Sequence, residues 1–193
     1  NMYVGYMYSS GQVHGMGTNS TIKDVIDTWY NNNLTSYTSK ISDSVYCNDR
    51  SISSGTGIGT TVTNYGTYNR IRSHIPQLYC PTKSDAFTVN DTIHGNGALT
   101  YPIGLITADE VNFAGIIWIL SNSADYLCIS ENFWTETPCN YSNDSSVEYD
   151  VYNEYNNIVS KTITDHNTNY TFMVVRPVIS LKSDVMATGS GTW

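Results

Sequence analysis

Ser20 to Tyr30, STIKDVIDTWY, is the one long stretch of this chain with a helical period. Ile22, Val25, Ile26, Trp29 and Tyr30 fall at i, i+3, i+4, i+7 and i+8, which places them on one helical face. Ser20 or Thr21 can cap the start, and Asp24 lies in the first turns, where the helix dipole favours an acid. Asn31-Asn32-Asn33 ends the pattern. The spacing assigns Trp29 to core packing.

Outward from this helix the period is lost. Before it, Tyr3, Tyr6 and Tyr8 with Gly5 suggest a strand that ends in a Gly-rich turn over residues 1–17. After it, residues 35–75 read as loops with short strands, and Ser51 to Thr63 is almost all Ser, Gly and Thr. Gly55-Thr56-Gly57-Ile58-Gly59 has the spacing GxGxG, with no helix pattern behind it, so it reads as a surface loop and not a phosphate cradle. A short strand is expected over Asp85–Val89, and Gly95-Asn96-Gly97 signals a turn. Thr107-Ala108-Asp109-Glu110 is a capping box that opens a short helix through Val111, Phe113 and Ala114, stopped by Gly115. Met173 to Leu181 reads as a buried strand, with Pro177 arguing for an edge or a bulge. Gly189 to Trp193 reads as a loop. No internal repeat is visible. Few helices and short strands between long loops imply an α+β fold with much irregular structure.

The chain has 193 residues, which suits one domain able to bury a sizeable core. Charged residues are only 13%, and polarity comes instead from Asn, Ser, Thr and Tyr, a mixture that reads as extracellular. The net charge of −8 repels a phosphate backbone and disfavours an anionic membrane surface. The most apolar run, Gly115 to Leu120, is far too short to span a bilayer. Cys47, Cys80, Cys128 and Cys139 form no CxxC, which excludes zinc ribbons and thioredoxin-like sites and favours at least one disulfide.

Chemistry-bearing patterns are sparse. His14, His74, His94 and His166 have no metal-ligand spacing, and no GxSxG occurs. Asn48-Asp49-Arg50 is the most site-like triplet, but it reads best as an Asp–Arg pair that fixes a loop. Sequons at Asn19, Asn33, Asn90, Asn140, Asn143 and Asn169 are what an Asn/Ser/Thr-rich chain produces by chance. No catalytic set, metal or cofactor is expected. Residues 116–172, in contrast, contain one basic residue, Lys161, and are dense in Asn, Asp, Ser, Thr and Tyr. Tyr126, Tyr141, Tyr149, Tyr152, Tyr155 and Tyr170 in such surroundings suit a recognition surface, since Tyr offers large contact area at low entropic cost. They also suit cross-strand pairs in a sheet.

Several segments together resemble a domain of clostridial-type surface proteins with pilin-like N-terminal helices. They are Tyr3 to Tyr8, Ser20 to Tyr30, Cys47 to Ser51, Phe87-Thr88-Val89, Gly95 to Glu110 (GNGALTYPIGLITADE), Trp134-Thr135, Pro138, and Arg176 to Ser183. The resemblance spans nearly the whole chain. It implies a C-type-lectin-like fold of the formylglycine-generating-enzyme type, with short helices, short antiparallel strands and long irregular loops. It also implies a Cys47–Cys80 disulfide, and leaves Cys128 and Cys139 accidental, paired or free. The cysteine pair of formylglycine-generating enzymes is not matched by Cys128 and Cys139, so that oxidase activity is not expected.

The chain departs from this pattern at Ile116 and Val175, where Gly is usual. Between Ile116 and Phe172 many positions carry residues reached from an Asn codon by changing its adenines. This resembles the variable region of a diversity-generating retroelement target protein. Glu131, Glu136, Glu148, Glu154 and Lys161 do not fit such changes. The resemblance implies a scaffold over 1–115, a variable binding region over 116–172, and a closing strand and tail over 173–193. The binding face it implies comprises Ile117, Ile119, Asp125, Tyr126, Cys128, Asn132, Phe133, Asn140, Tyr141, Asn143, Asp144, Tyr152, Asn153, Tyr155, Asn156, Asp165, His166, Asn167, Asn169 and Tyr170. The expected protein is a ligand-binding adhesin or receptor domain at an extracellular cell surface. Its expected partner is a protein or glycan on a cell or phage surface, with assembly into a pilus through a segment ahead of Asn1. The competing expectations are a pilus or envelope subunit without diversification, and an enzyme acting on glycans.

Overall fold

A computed structural model describes residues 19–57, 62–118, 127, 131–142, 145–152 and 162–186. The chain combines helices with antiparallel sheets, which is the α+β class expected from the sequence.

Helix α1 (Thr21–Asn33) starts where the sequence places it, with the Ser20 hydroxyl accepting from the Lys23 amide. Its buried arc is Ile22, Lys23, Ile26 and Tyr30. Trp29 does not reach the core: it is 45% exposed, as is Val25. The i, i+4, i+8 row turns inward and the i+3, i+7 row is left at its margin. Lys23 is tolerated inside because its ammonium pairs with Asp27 one turn on.

After a 3-10 turn (Thr35–Lys40) come β1 (Tyr46–Cys47), β2 (Ile52–Ser54), β3 (Thr63–Tyr65) and helix α2 (Thr67–Arg72). Next are β4 (Ala86–Phe87), β5 (Gly104–Leu105) and helix α3 (Ala108–Phe113). Thr107 and Glu110 cap α3 reciprocally as a capping box, and Gly115, at φ 103°, follows its end. The expected strand at 85–89 is the two-residue β4, paired with β1.

The described residues of 116–172 include the longest strands of the chain's described part, where the sequence shows no clear period. They carry strands β6 (Phe133–Ser142), β7 (Ser145–Tyr152) and β8 (Thr162–Asn167) in an antiparallel meander. With β2 and β3 these make a five-stranded sheet of order β2-β3-β6-β7-β8. Strand β6 is central and its residues 133–139 are all buried. Pro138 lies within it, and the register with β7 shifts on both sides of Pro138. A proline has no N–H for the ladder, so a central strand accommodates it at an irregularity.

Alternation along β6 and β7 divides the core. Phe133, Cys139, Tyr149 and Val151 join Ile163, Ile71, Val111 and Ile116 on one face, under α2 and α3. Trp134 joins Ile22, Ile26, Tyr30, Ile103 and Leu105 on the other, under α1. The segment 173–181 is not a buried strand. Only β9 (Pro177–Val178) is regular, paired with β5 and half-buried, and Pro177 takes the edge position its chemistry requires.

Cys47 and Cys80 form a disulfide, across a sequence separation of 33. Cys139 is free and buried; Cys128 and the stretches 1–18 and 187–193 lie outside the described residues. No helix among the described residues is long and apolar enough to cross a membrane.

Loop-closure entropy for this separation corresponds to about 3 to 4 kcal/mol. The double variant C47S/C80S is therefore expected to unfold at markedly lower denaturant concentration, with a steeper transition because the released unfolded chain exposes more surface. A midpoint equal to that of the wild type would show that the bridge constrains nothing.

Candidate functional site

One face of the β7–β8 pair, together with the turn after β8, gathers an aromatic cluster. The His166 ring stacks on Tyr170 at 4.4 Å between centroids and lies 5.0 Å from Tyr152. Tyr170 in turn contacts Phe172 at 5.5 Å. Tyr152 and His166 share a sheet face because both alternate with residues of the opposite face, Val151 on β7 and Ile163 and Asp165 on β8. Tyr170 and Phe172 follow the turn that leaves β8. Tyr152, His166 and Tyr170 are half-buried, whereas Phe172 is 74% exposed. Asn167 and Asn169 beside them are exposed.

Behind the rings stands Asp150, fully buried, with Oδ2 2.7 Å from His166 Nδ1. This contact fixes the plane of the imidazole within the stack. Burial pushes the Asp150 carboxyl up to about 6, although the His166 hydrogen bond opposes the shift. Two further carboxyls, Glu136 on β6 and Glu148 on β7, are also buried. Burial pushes Glu136 up to about 8, and burial with the nearby Glu136 raises Glu148 well above the carboxylate range.

Of the residues expected to form a binding face, the structure brings Tyr152, His166 and Tyr170 together, and Asn167 and Asn169 flank them. Phe133 and Tyr141 are corrected: at 0% and 3% exposure they are core side chains, turned inward by the alternation of β6. Asp165 points to the opposite face from His166 and pairs with Arg72 at 2.8 Å. The same guanidinium donates to Tyr149 Oη at 2.7 Å and lies over the rings of Tyr68 and Trp118. The Cys139 thiol donates to Asp165 Oδ2 at 3.1 Å, and burial pushes that thiol up to about 12. Asp165 thus belongs to a cluster that ties α2 to the meander. Asn140 is half-buried and donates to Cys139 Sγ. Asn132 is half-buried, and the half-buried Ile117 accepts from Ile163 N through its carbonyl. Ile119, Asp125, Tyr126, Cys128, Asn143, Asp144, Asn153, Tyr155 and Asn156 lie outside the described residues.

Sequence reasoning missed two features. Phe172 is the most exposed ring of the cluster, and the only signal was its place two residues after Tyr170. The other is a groove of about 750 Å³ on the scaffold side, against the Cys47–Cys80 bridge. Its residues range from Val45 to Ser180, so no local pattern could announce it. Arg70 grips Asp109 through Nε at 2.8 Å and Nη2 at 2.7 Å, and reaches Asp49 at 3.0 Å. The wall carries the exposed Val45, Leu78, Tyr79 and Phe113. The Asn48-Asp49-Arg50 triplet therefore fixes loops through two separate pairs, Asp49 with Arg70 and Arg50 with Asp85 at 2.5 Å. Among the described residues no group of three or more His, Cys, Asp or Glu side chains could hold a metal ion.

No protein-family model, curated protein or solved structure matches this chain.

Two predictions follow from these geometries. Arg72→Met leaves Asp165 and the Tyr149 hydroxyl without their cation, and is expected to cost about 2 kcal/mol or more in denaturant unfolding; the added change Asp165→Asn is expected to recover part of the loss. The raised carboxyls set the pH dependence. The folded protein keeps protons on Asp150, Glu136 and Glu148 that the unfolded chain releases near pH 4 to 5. The stability they confer is complete below that range and is lost as pH rises through about 6 and then about 8. The melting temperature is expected to fall from pH 5 to pH 9, and less steeply in Glu136→Gln; a rising melting temperature would contradict this.

Proposed function

We propose that the chain is a ligand-binding domain displayed at a cell surface, and that it meets its partner through the aromatic cluster on the face of β7 and β8 that carries Tyr152 and His166. The observation that carries this reading is the convergence of Tyr152, His166, Tyr170 and Phe172 beside the exposed Asn167 and Asn169. Clustered aromatic rings flanked by neutral hydrogen-bonding side chains are the composition of recognition surfaces. Asp150 lends the cluster a fixed geometry, so less ordering is required on binding.

The finer reading is a C-type-lectin-like scaffold that holds a face diversified by a retroelement. Its support is the resemblance in the sequence together with the burial of Glu136 and Glu148. These two are among the residues that Asn-codon changes do not reach, and both sit inside, where a scaffold residue belongs. The buried Phe133, Tyr141, Tyr149, Val151 and Ile163 narrow the proposed face to the exposed and half-buried positions of 116–172.

The groove beside the disulfide favours a second reading, in which a ligand is held by the scaffold. Its volume is in the range of small-molecule and peptide sites.

Binding to arrays of cell-surface proteins and glycans tests the two. The double change Tyr152→Ala and Phe172→Ala is expected to weaken capture at least tenfold and to shift the melting temperature by only about 2 °C, as exposed aromatic anchors do. Loss of capture in Leu78→Ser with Phe113→Ser, and not in the first pair, would move the site to the groove.

A further inference from the structure

Asn48 follows the disulfide cysteine Cys47 and is 3% exposed, yet neither Oδ1 nor Nδ2 has a hydrogen-bond partner. Its backbone is satisfied, the amide donating to Asp85 O at 3.0 Å. Glu136 on β6 is 9% exposed. Its Oε2 accepts from the Leu105 amide at 3.1 Å, and its Oε1 is without a partner. Asn48 and Glu136 line one cavity of about 40 Å³, whose wall also includes Lys23, Tyr46, Phe87 and Leu99. Lys23 is engaged by Asp27, and the Tyr46 hydroxyl donates to Pro102 O at 2.9 Å.

Asn48 and Glu136, each with buried side-chain polar atoms that have no protein partner and from segments far apart in sequence, thus line one small space. A buried amide or carboxyl without a partner is costly, and native proteins satisfy such groups with protein or with ordered water. The space is too small for an organic ligand, but it exceeds the roughly 10 to 15 Å³ that one water requires. A calcium ion takes six to eight oxygen ligands, whereas this cavity offers Asn48 Oδ1 and Glu136 Oε1 next to an N–H donor and an ammonium.

We propose that this cavity is an internal hydration site, in which about one to three ordered waters bridge the Asn48 amide to Glu136 Oε1 and so join the disulfide segment to the central strand. A water there accepts from Asn48 Nδ2 and donates to Oδ1, and exchanges a hydrogen bond with Glu136 Oε1. Because burial favours the protonated Glu136, the carboxyl can donate into the cluster at neutral pH.

The experiment is oxygen-17 water relaxation dispersion on the full chain, with a crystal structure of the wild type. The wild type is expected to show long-lived internal water that falls by about one to three molecules in Asn48→Leu and persists in Glu136→Gln, which still offers an oxygen and a donor. The crystal structure is expected to place water within 3.5 Å of the Asn48 amide and Glu136, which decides the matter even if Asn48→Leu does not fold. Equal dispersion in the wild type and Asn48→Leu, an empty cavity with Asn48 turned onto protein groups, or anomalous density for rubidium at the site would each overturn the proposal.

Discussion

Burial of strand β6 on both faces is the constraint on which the rest of the structure depends. Phe133 and Trp134 are neighbours in sequence, and alternation sends them into two different apolar clusters. Helices α2 and α3 must cover one face and α1 the other. The hydroxyls of Thr135 and Thr137 can lie in that interior only because each is paired, Thr135 Oγ1 to Tyr149 O and Thr137 Oγ1 to Ala108 N. Any substitution that turned β6 over by one residue would exchange the two clusters and bury the wrong set.

The same alternation produces the proposed face. On β7, Tyr149 and Val151 pack inward, which commits Glu148, Asp150 and Tyr152 to the other side. Glu148 and Asp150 are covered, whereas Tyr152, the last residue of β7, is half-buried, with its ring 5.0 Å from that of His166. Arg72 secures the arrangement from behind, paired with Asp165 and placed over Tyr68 and Trp118. Tyr152 and His166 are thus held by the sheet, an arrangement that limits the ordering required on binding, and Tyr170 and Phe172 pack beside them from the segment after β8.

Local signals are legible in the sequence. The Ser20 cap, the Thr107–Glu110 capping box and the stop at Gly115 depend on neighbours within a few residues. The α+β class followed from them. The meander was not legible, because β6 is buried on both faces and so lacks the polar–apolar alternation that marks a strand, while Pro138 speaks against one. Helix α2 is a single short run whose burial rests on Thr67 and Ile71, too little for a period to show. Trp29 was misplaced because a helical face has a width that spacing alone does not centre. Of the candidate site, Tyr152, His166 and Tyr170 were named from composition, and composition cannot separate them from Phe133 and Tyr141, which differ only in the direction their strand turns them.

Sequencing this gene across a population of its source organism tests the central claim most directly. The account predicts substitutions at template adenines, concentrated in the codons of 116–172. Within that stretch they fall at exposed and half-buried positions such as Tyr152, His166, Asn167, Asn169 and Tyr170, and they spare Glu136 and Glu148. Variation spread evenly along the gene, or equally frequent at the buried carboxyls, would contradict it.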